Sequence, residues 1–291
     1  MRNFLRKVVP QRQRQQLRSW VDRLGYWVDT SAGFFINILP ANIKVFLKSH
    51  LKVVKRMDYS KGEILLDVSS SMEYRVRLHS CRKEPETVQW IETFFQDKDV
   101  FFDVGANVGA YSLVAAEYFK GKVPIYSFEP SFLNFPQLCK NIYINRCQES
   151  ITPFNIAFSD KTTVDYFNYR NLMVGGAMHT LGEARDENNN SFVPVCRQPM
   201  LSYTMDKFIK EFRLPVPQHI KIDVDGNEWL ILQGAQETLG NPLMKSILIE
   251  MSEEDTKIQR CLAEKGFSLH AKYSQGVPES KLFNCIFKKK I

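Results

Sequence analysis

The stretch VFFDVGANVG, residues 100–109, decides the fold. Val100 to Val104 is a short apolar run broken only by Asp103, the pattern of a strand buried on both faces. Gly105, Ala106 and Asn107 follow, and a helix begins near Gly109. A strand that ends in a carboxylate, turns at glycine and enters a helix is a unit on which nucleotide-type cofactors settle. The small turn lets a ligand approach the backbone, and the helix start offers free N–H groups.

Working outward, IYSFE (125–129) is a second strand, and it ends in Glu129. An acid at that place accepts both hydroxyls of a ribose. A helix follows from Asn134 to about Asn145, and TPFNIAF, HIKIDV, KSILIEM and FSLHAKY continue the series of strands, with helical segments NEWLILQGAQETL and SEEDTKIQRCLAEKG between later ones. Strands alternating with helices of 10–15 residues predict a largely parallel sheet covered on both faces. The last strand, LFNCIFK, follows FSLHAKY with no room for a helix, so it should pair antiparallel with its neighbour.

Before this core, residues 1–60 carry helical spacing, with Leu17, Trp20, Leu24 and Trp27 on one face beside Arg12, Arg14, Arg18 and Arg23. Residues 62–79 alternate as Ile64, Leu66, Val68 and then Tyr74, Val76, Leu78 around Ser69–Ser71, which predicts a hairpin. Pro85 opens a helix. The stretch 163–200 breaks the strand–helix rhythm with a Gly- and Asn-rich loop and is expected to be an insertion above the sheet. The expected division is a basic helical extension plus hairpin over 1–83, then a cofactor-binding domain over 84–291.

The cofactor follows from what the turn lacks. A dinucleotide fingerprint needs three glycines, and Asn107 fills the middle position; no G-K-S/T phosphate loop follows either. Asp103 would repel a pyrophosphate and suits a cationic, amino-acid-like ligand. S-adenosylmethionine, with an ammonium, a sulfonium and a ribose, fits both Asp103 and Glu129. A nicotinamide-dependent oxidoreductase is the competing enzyme class, and a non-catalytic binding protein on the same fold is the alternative of another kind.

FDVGANVGAYSL, YSFEPSFLNFPQLCKNIYIN, NIAFSD, HIKIDVDGNEWLILQGA and ILIEM together resemble the FkbM family of S-adenosylmethionine-dependent methyltransferases, from about Glu84 to Glu250. The resemblance implies a Rossmann-like class I sheet of seven strands with the last antiparallel, and O-methylation of hydroxyls on sugars, glycolipid precursors or other natural products. It implies that Asp103, Gly105, Ala106, Asn107 and Gly109 hold the methionine end and that Glu129 binds the ribose. Asn134 is expected to cap the helix after FEP, and Ala157 and Asp160 resemble the adenine-side position. Asp225 stands where the family often has glutamate.

A hydroxyl acceptor benefits from a general base. Asp223, Asp225 and Glu228 lie within six residues at the end of the fourth strand, where ligands bind in α/β folds. Asp223 and Glu228 are the candidate catalytic carboxylates, and Asp223 and Asp225 would share a side if the strand continued. His179, flanked by glycines in the long loop, is a candidate base that closes over the acceptor. Asp223, Asp225 and Glu250 supply oxygen donors for a divalent metal, but no spaced ligand motif accompanies them, so no metal is assigned.

Composition bounds the rest. The chain has 291 residues, 44% hydrophobic and 24% charged, which excludes a disordered or fibrous chain. Six scattered cysteines form neither a disulfide framework nor a zinc site. Residues 1–61 carry 13 basic and three acidic side chains, against 26 and 29 in the remainder. That basic front end, beside an apolar helical face, is expected to be a solvated or substrate-capping helical surface, with peripheral contact with an anionic membrane as the alternative. With no nucleic-acid module, secretory signal or spanning segment in the sequence, a cytoplasmic protein with a hydroxyl acceptor and no nucleic-acid partner is expected.

Overall fold

The strand-forming runs of the core join one sheet in the computed structural model, which describes residues 36–185, 190–274 and 282–290, except that TPFNIAF divides and its Ala157–Phe158 enters a second sheet. The chain divides into two units, residues 1–52 and 53–291. In the first, α1 (Ala41–His50) buries none of its residues, and the Phe46 ring stacks on His50. Leu17, Trp20, Leu24, Trp27 and the arginines from 12 to 23 lie outside the described residues, as does the membrane contact expected of them. No described helix is long and apolar enough to cross a membrane.

The second unit opens with β1 (Val54–Arg56) paired antiparallel to β2 (Leu65–Asp67). The hairpin partner expected over residues 74–78 is absent. Those residues form α2 (Ser71–Arg75) and a 3-10 turn over Arg77–His79. The reason is capping. The Ser70 hydroxyl accepts the Glu73 N–H at 3.1 Å, and the Glu73 carboxylate reaches back to the Ser69 N–H and hydroxyl. A serine followed three residues later by glutamate starts a helix, and here it overrides the alternation of Tyr74, Val76 and Leu78. Two helices follow, α3 (Ser80–Lys83) and α4 (Pro85–Phe94), the latter with Pro85 in its first turn.

The main sheet then alternates with helices: β3 (Phe101–Val104), α5 (Ala110–Tyr118), β4 (Ile125–Phe128), α6 (Asn134–Ile144) and β5 (Ile151–Phe154). After an interruption come α7 (Met205–Phe212), β10 (His219–Ile222), α8 (Glu228–Gln233), α9 (Gln236–Gly240), β11 (Ser246–Ser252), α10 (Thr256–Glu264), β12 (Phe267–Ser274) and β13 (Leu282–Lys289). The strand order is β12-β13-β11-β10-β3-β4-β5. The five strands β5, β4, β3, β10 and β11 run parallel, and β13 inserts antiparallel between β11 and β12. This is a seven-stranded sheet with the last strand reversed, the topology that the resemblance implied.

Strand periodicity sorts the core into two layers. Phe101 and Leu248 pack with Trp90, Leu113 and Leu138 of α4, α5 and α6 on one face. Phe102, Ile247 and Ile249 pack with Phe208, Leu232 and Leu262 of α7, α8 and α10 on the other. The interruption is a second sheet of four strands, β6 (Ala157–Phe158), β7 (Thr163–Tyr169), β8 (Thr180–Leu181) and β9 (Cys196–Tyr203), in the order β6-β9-β7-β8. Its small core contains Phe167, Tyr169, Leu181 and Met200. β9 pairs antiparallel with β7 from Cys196 to Ser202.

Candidate active site

At the end of β3, Gly105 adopts φ +83°, and a Cβ there would stand 1.9 Å from the Asp223 carbonyl oxygen. Only glycine lets the β3 turn and the end of β10 touch. Asn107 then enters the left-handed region at φ +52°, which its short polar side chain tolerates. That turn carries the Asn107 N–H to Glu129 Oε2 at 2.8 Å. The other carboxylate oxygen, Glu129 Oε1, accepts the Ser131 N–H at 2.9 Å. Glu129 is thereby fixed at the rim of β4, and burial pushes its carboxyl up to about 7.

Asp103 lies beneath this turn rather than in the cavity. It is buried, Oδ2 accepts the Ser112 hydroxyl, and that hydroxyl also meets Ser127 at 2.7 Å. Oδ1 is buried without a hydrogen-bond partner among the described residues. Burial raises its carboxyl, with the Lys221 charge pulling the other way. Lys221 itself is fully buried in β10 and donates to Asp223 Oδ2 at 2.6 Å. Burial works against its charge, but Asp223 and Asp103 outweigh that and hold the ammonium protonated. Burial likewise pushes Asp223 up, yet Lys221, Lys83 and Arg77 together hold it below the usual carboxylate range.

The fourth strand ends earlier than expected. β10 stops at Ile222, and Asp225 turns into the left-handed region at φ +51°. Asp223 and Asp225 still reach one cavity, by a turn rather than by strand alternation. Burial, with Asp223 adding to it, raises Asp225 to about 6, and its Oδ2 accepts the Met178 N–H. Glu228 starts α8, accepts the Gly226 N–H at 3.1 Å, and is pushed by burial to about 7. Glu250, on β11, rises to about 9 through burial and the neighbouring Asp223.

The insertion supplies a strap over this edge. The Gly176 carbonyl accepts Asn107 Nδ2 at 2.8 Å and Asn134 Nδ2 at 3.2 Å, while Asn134 Oδ1 accepts the Gly175 N–H at 2.8 Å. Asn134 therefore holds the strap and does not cap α6. The Ser131 hydroxyl accepts the Leu133 and Asn134 N–H groups there instead. His179 follows on the strap, nine-tenths buried beside Tyr169. Its Nδ1 accepts the Arg170 N–H at 3.3 Å, so Nε2 carries the ring proton, and Nε2 is buried without a partner among the described residues. Burial lowers this imidazole to about 4. In this geometry His179 is a neutral imidazole whose Nε2–H is a hydrogen-bond donor.

Two cavities lie along this edge among the described residues. The first, of about 1060 Å³, is lined by Gly105, Ala106, Asn107, Glu129, Asn134, His179 and Asp223 among others. The second, of about 710 Å³, is lined by Glu228, Asp160 and Trp229 among others. They share Asp225, Glu250, Ser252, Asp255 and Leu282. Asp103, Gly109 and Ala157 line neither, and Asp160 faces the second cavity rather than the one holding Glu129. Among the described residues no group of three or more potential ligands is arranged for a metal ion.

Sequence reasoning missed Lys221, Arg77 and Tyr111, which also line the first cavity. Lys221 had a signal: a lysine inside the buried strand HIKI must have a charged partner. Arg77 was hidden by the assignment of its segment to a strand.

Residues 103–272 match the family model of the methyltransferase FkbM domain. The hexuronic acid methyltransferase AglP of Haloferax volcanii is 20% identical over 198 residues, 68% of this chain and 75% of that protein. Among solved structures, the methyltransferase FkbM from Methylobacillus flagellatus KT is 17% identical with a TM-score of 0.46. That alignment covers 67% of this chain and 44% of the other, so this chain spans less than half of it. M. jannaschii TYW2, in complex with AdoMet, is 12% identical with a TM-score of 0.45, covering 82% and 87% of the two chains.

Proposed function

The chain belongs to the FkbM methyltransferase family and is a methyltransferase; from that premise we propose that it moves a methyl group from S-adenosylmethionine to a hydroxyl of a glycan, glycolipid precursor or other natural product. The observation that carries this reading is the pair of cavities joined along Asp225, Glu250 and Ser252, one with a ribose-type acid, Glu129, and the other with Glu228. The curated relative that acts on a hexuronic acid supports an acceptor of the sugar class.

The residues present suit the cofactor. Asn107 Oδ1 and His179 Nε2 are orphaned polar atoms of residues lining the first cavity, and Gly105 keeps the turn free of a Cβ. S-adenosylmethionine, when bound, supplies an electrophilic methyl group. Glu129 takes the ribose hydroxyls with the lone pairs its two N–H partners leave. Asp223, held ionised by Lys221, attracts a cationic group and is too weak a base to deprotonate a hydroxyl. Glu228, at about 7, is matched to that task at neutral pH and faces the second cavity. Gly176, Ala177 and Met178 of the strap line the first cavity.

Titration calorimetry with S-adenosylhomocysteine, followed by mass spectrometry of sugar acceptors for a single added methyl group, tests the reading. Glu228→Gln should lower kcat by roughly 10²–10⁴-fold with little change in KM. The wild-type rate should rise with pH through about 7, because the base acts only when ionised. An unchanged kcat in Glu228→Gln would remove Glu228 as the base.

A further inference from the structure

We propose that Arg77, from the segment before the family domain, is a carboxylate-binding residue of the first cavity. It stands on the 3-10 turn at Arg77–His79, lines the first cavity, and lies outside the matched residues 103–272. Two contacts fix its approach. Its Nε donates to the Gly175 carbonyl at 2.9 Å, and its Cγ packs where a Cβ on Gly175 would come within 3.4 Å. The strap is in turn tied to Ser70, whose hydroxyl donates to the Val174 carbonyl at 2.7 Å.

The terminal nitrogens of Arg77 make no hydrogen bond or ion pair among the described residues. The other cations of this wall are engaged: Lys83 pairs with Glu84 at 2.6 Å, and Lys221 with Asp223. A guanidinium anchored through Nε presents its two remaining nitrogens as a fork, the geometry that binds a carboxylate through two parallel hydrogen bonds. Arg77 also acts electrostatically on Glu129, Asp223 and Asp225, which places its charge among all three.

An ionised acid and an unengaged guanidinium on one cavity wall match a zwitterion. The amino-acid end of the methyl donor is one, with its ammonium toward Asp223 and its carboxylate toward Arg77. This assignment rests on the function proposed above. A carboxylate on an acidic sugar acceptor is the other source of the same chemistry.

The test uses the full chain and three probes. S-adenosylhomocysteine carries the carboxylate, and 5′-methylthioadenosine lacks the amino-acid arm. Methylation of a uronic acid against the neutral hexose reports on the acceptor. Arg77→Met should weaken S-adenosylhomocysteine about 10- to 100-fold and leave 5′-methylthioadenosine unchanged, since a charged hydrogen bond is worth about 1.5–3 kcal/mol. Arg77→Lys, which keeps charge but loses the fork and the Nε contact, should recover only part of the affinity, with an unfolding midpoint close to wild type.

If Arg77→Met instead spares S-adenosylhomocysteine but loses transfer to the uronic acid alone, the carboxylate belongs to the acceptor. An equal loss for both adenosine probes, or no loss for any substrate, overturns the proposal. If the wild-type chain binds neither adenosine probe, the function reading itself falls and the inference with it.

Discussion

At the scale of single residues, the decisive one is Lys221. It is a charge buried in a β-strand among isoleucines, and its stability depends on Asp223 at 2.6 Å with Asp103 close by. Removing one member of such a pair leaves the other uncompensated, which costs roughly 3–5 kcal/mol. Lys221→Met should therefore lower the urea midpoint sharply and raise the Asp223 carboxyl. Lys221→Met with Asp223→Asn should recover much of that loss. Urea titration of the two variants checks this; a double variant no more stable than the single one would show that the cost is steric. Asp103, Glu129 and the Gly105 turn were legible from the spacing of strand, glycine and acid. Their division of labour was not, because which carboxylate faces the cavity depends on burial. Asp103 sits under the turn with Ser112 and Ser127, which no local pattern encodes.

At the scale of elements, the strap over residues 174–179 joins the second sheet to the edge of the first where β3, β4 and β10 end. Its anchors are Asn107 and Asn134 at one end and Asp225 at the other. Asn134 is buried and satisfies both the Gly175 N–H and the Gly176 carbonyl, so Asn134→Ala should cost about 1–3 kcal/mol and loosen the strap. Limited proteolysis should then cut within 170–185 faster than in wild type, and S-adenosylhomocysteine should slow the cutting. Equal rates would mean that Asn107 and Asp225 suffice to hold the segment. The sequence revealed that residues 163–200 interrupt the repeat, since Gly and Asn cluster there. It did not reveal a four-stranded sheet, because β6 lies before residue 163 and pairs with β9 across more than 40 residues. The lost hairpin partner had a local cause, the serine–glutamate cap at Ser70 and Glu73.

At the scale of the whole molecule, the site sets the pH dependence of stability. Glu129 and Glu228 rise to about 7 and Asp225 to about 6, while each titrates near its ordinary value when unfolded. As pH climbs through the folded values the native state must release protons the unfolded chain has already lost, so stability falls. Shifts of this size in Glu129 and Glu228 are each worth on the order of 3 kcal/mol. His179, lowered to about 4, works in the opposite sense, and its contribution is lost only as pH falls below about 6.5. The urea midpoint of the ligand-free protein should thus decline from about pH 5 to about 7, where the native carboxyls still hold protons that the unfolded chain has lost and outweigh His179. Glu129→Gln should flatten that decline. A midpoint rising over this window would mean that these carboxylates are ionised at little cost.

The placement of β13 between β11 and β12 has a consequence for biosynthesis. Ile247, Leu248 and Ile249 meet Phe287, Ile286 and Cys285, partners made some 35–40 residues later. Until then β11 keeps an open edge of unpaired peptide groups beside an apolar surface, an invitation to pair with another nascent chain. Closing the sheet by so distant a partner also slows its formation. On the ribosome, the sheet's far half can close only after residues 282–289 have left the exit tunnel. Chaperone demand should therefore peak in that interval.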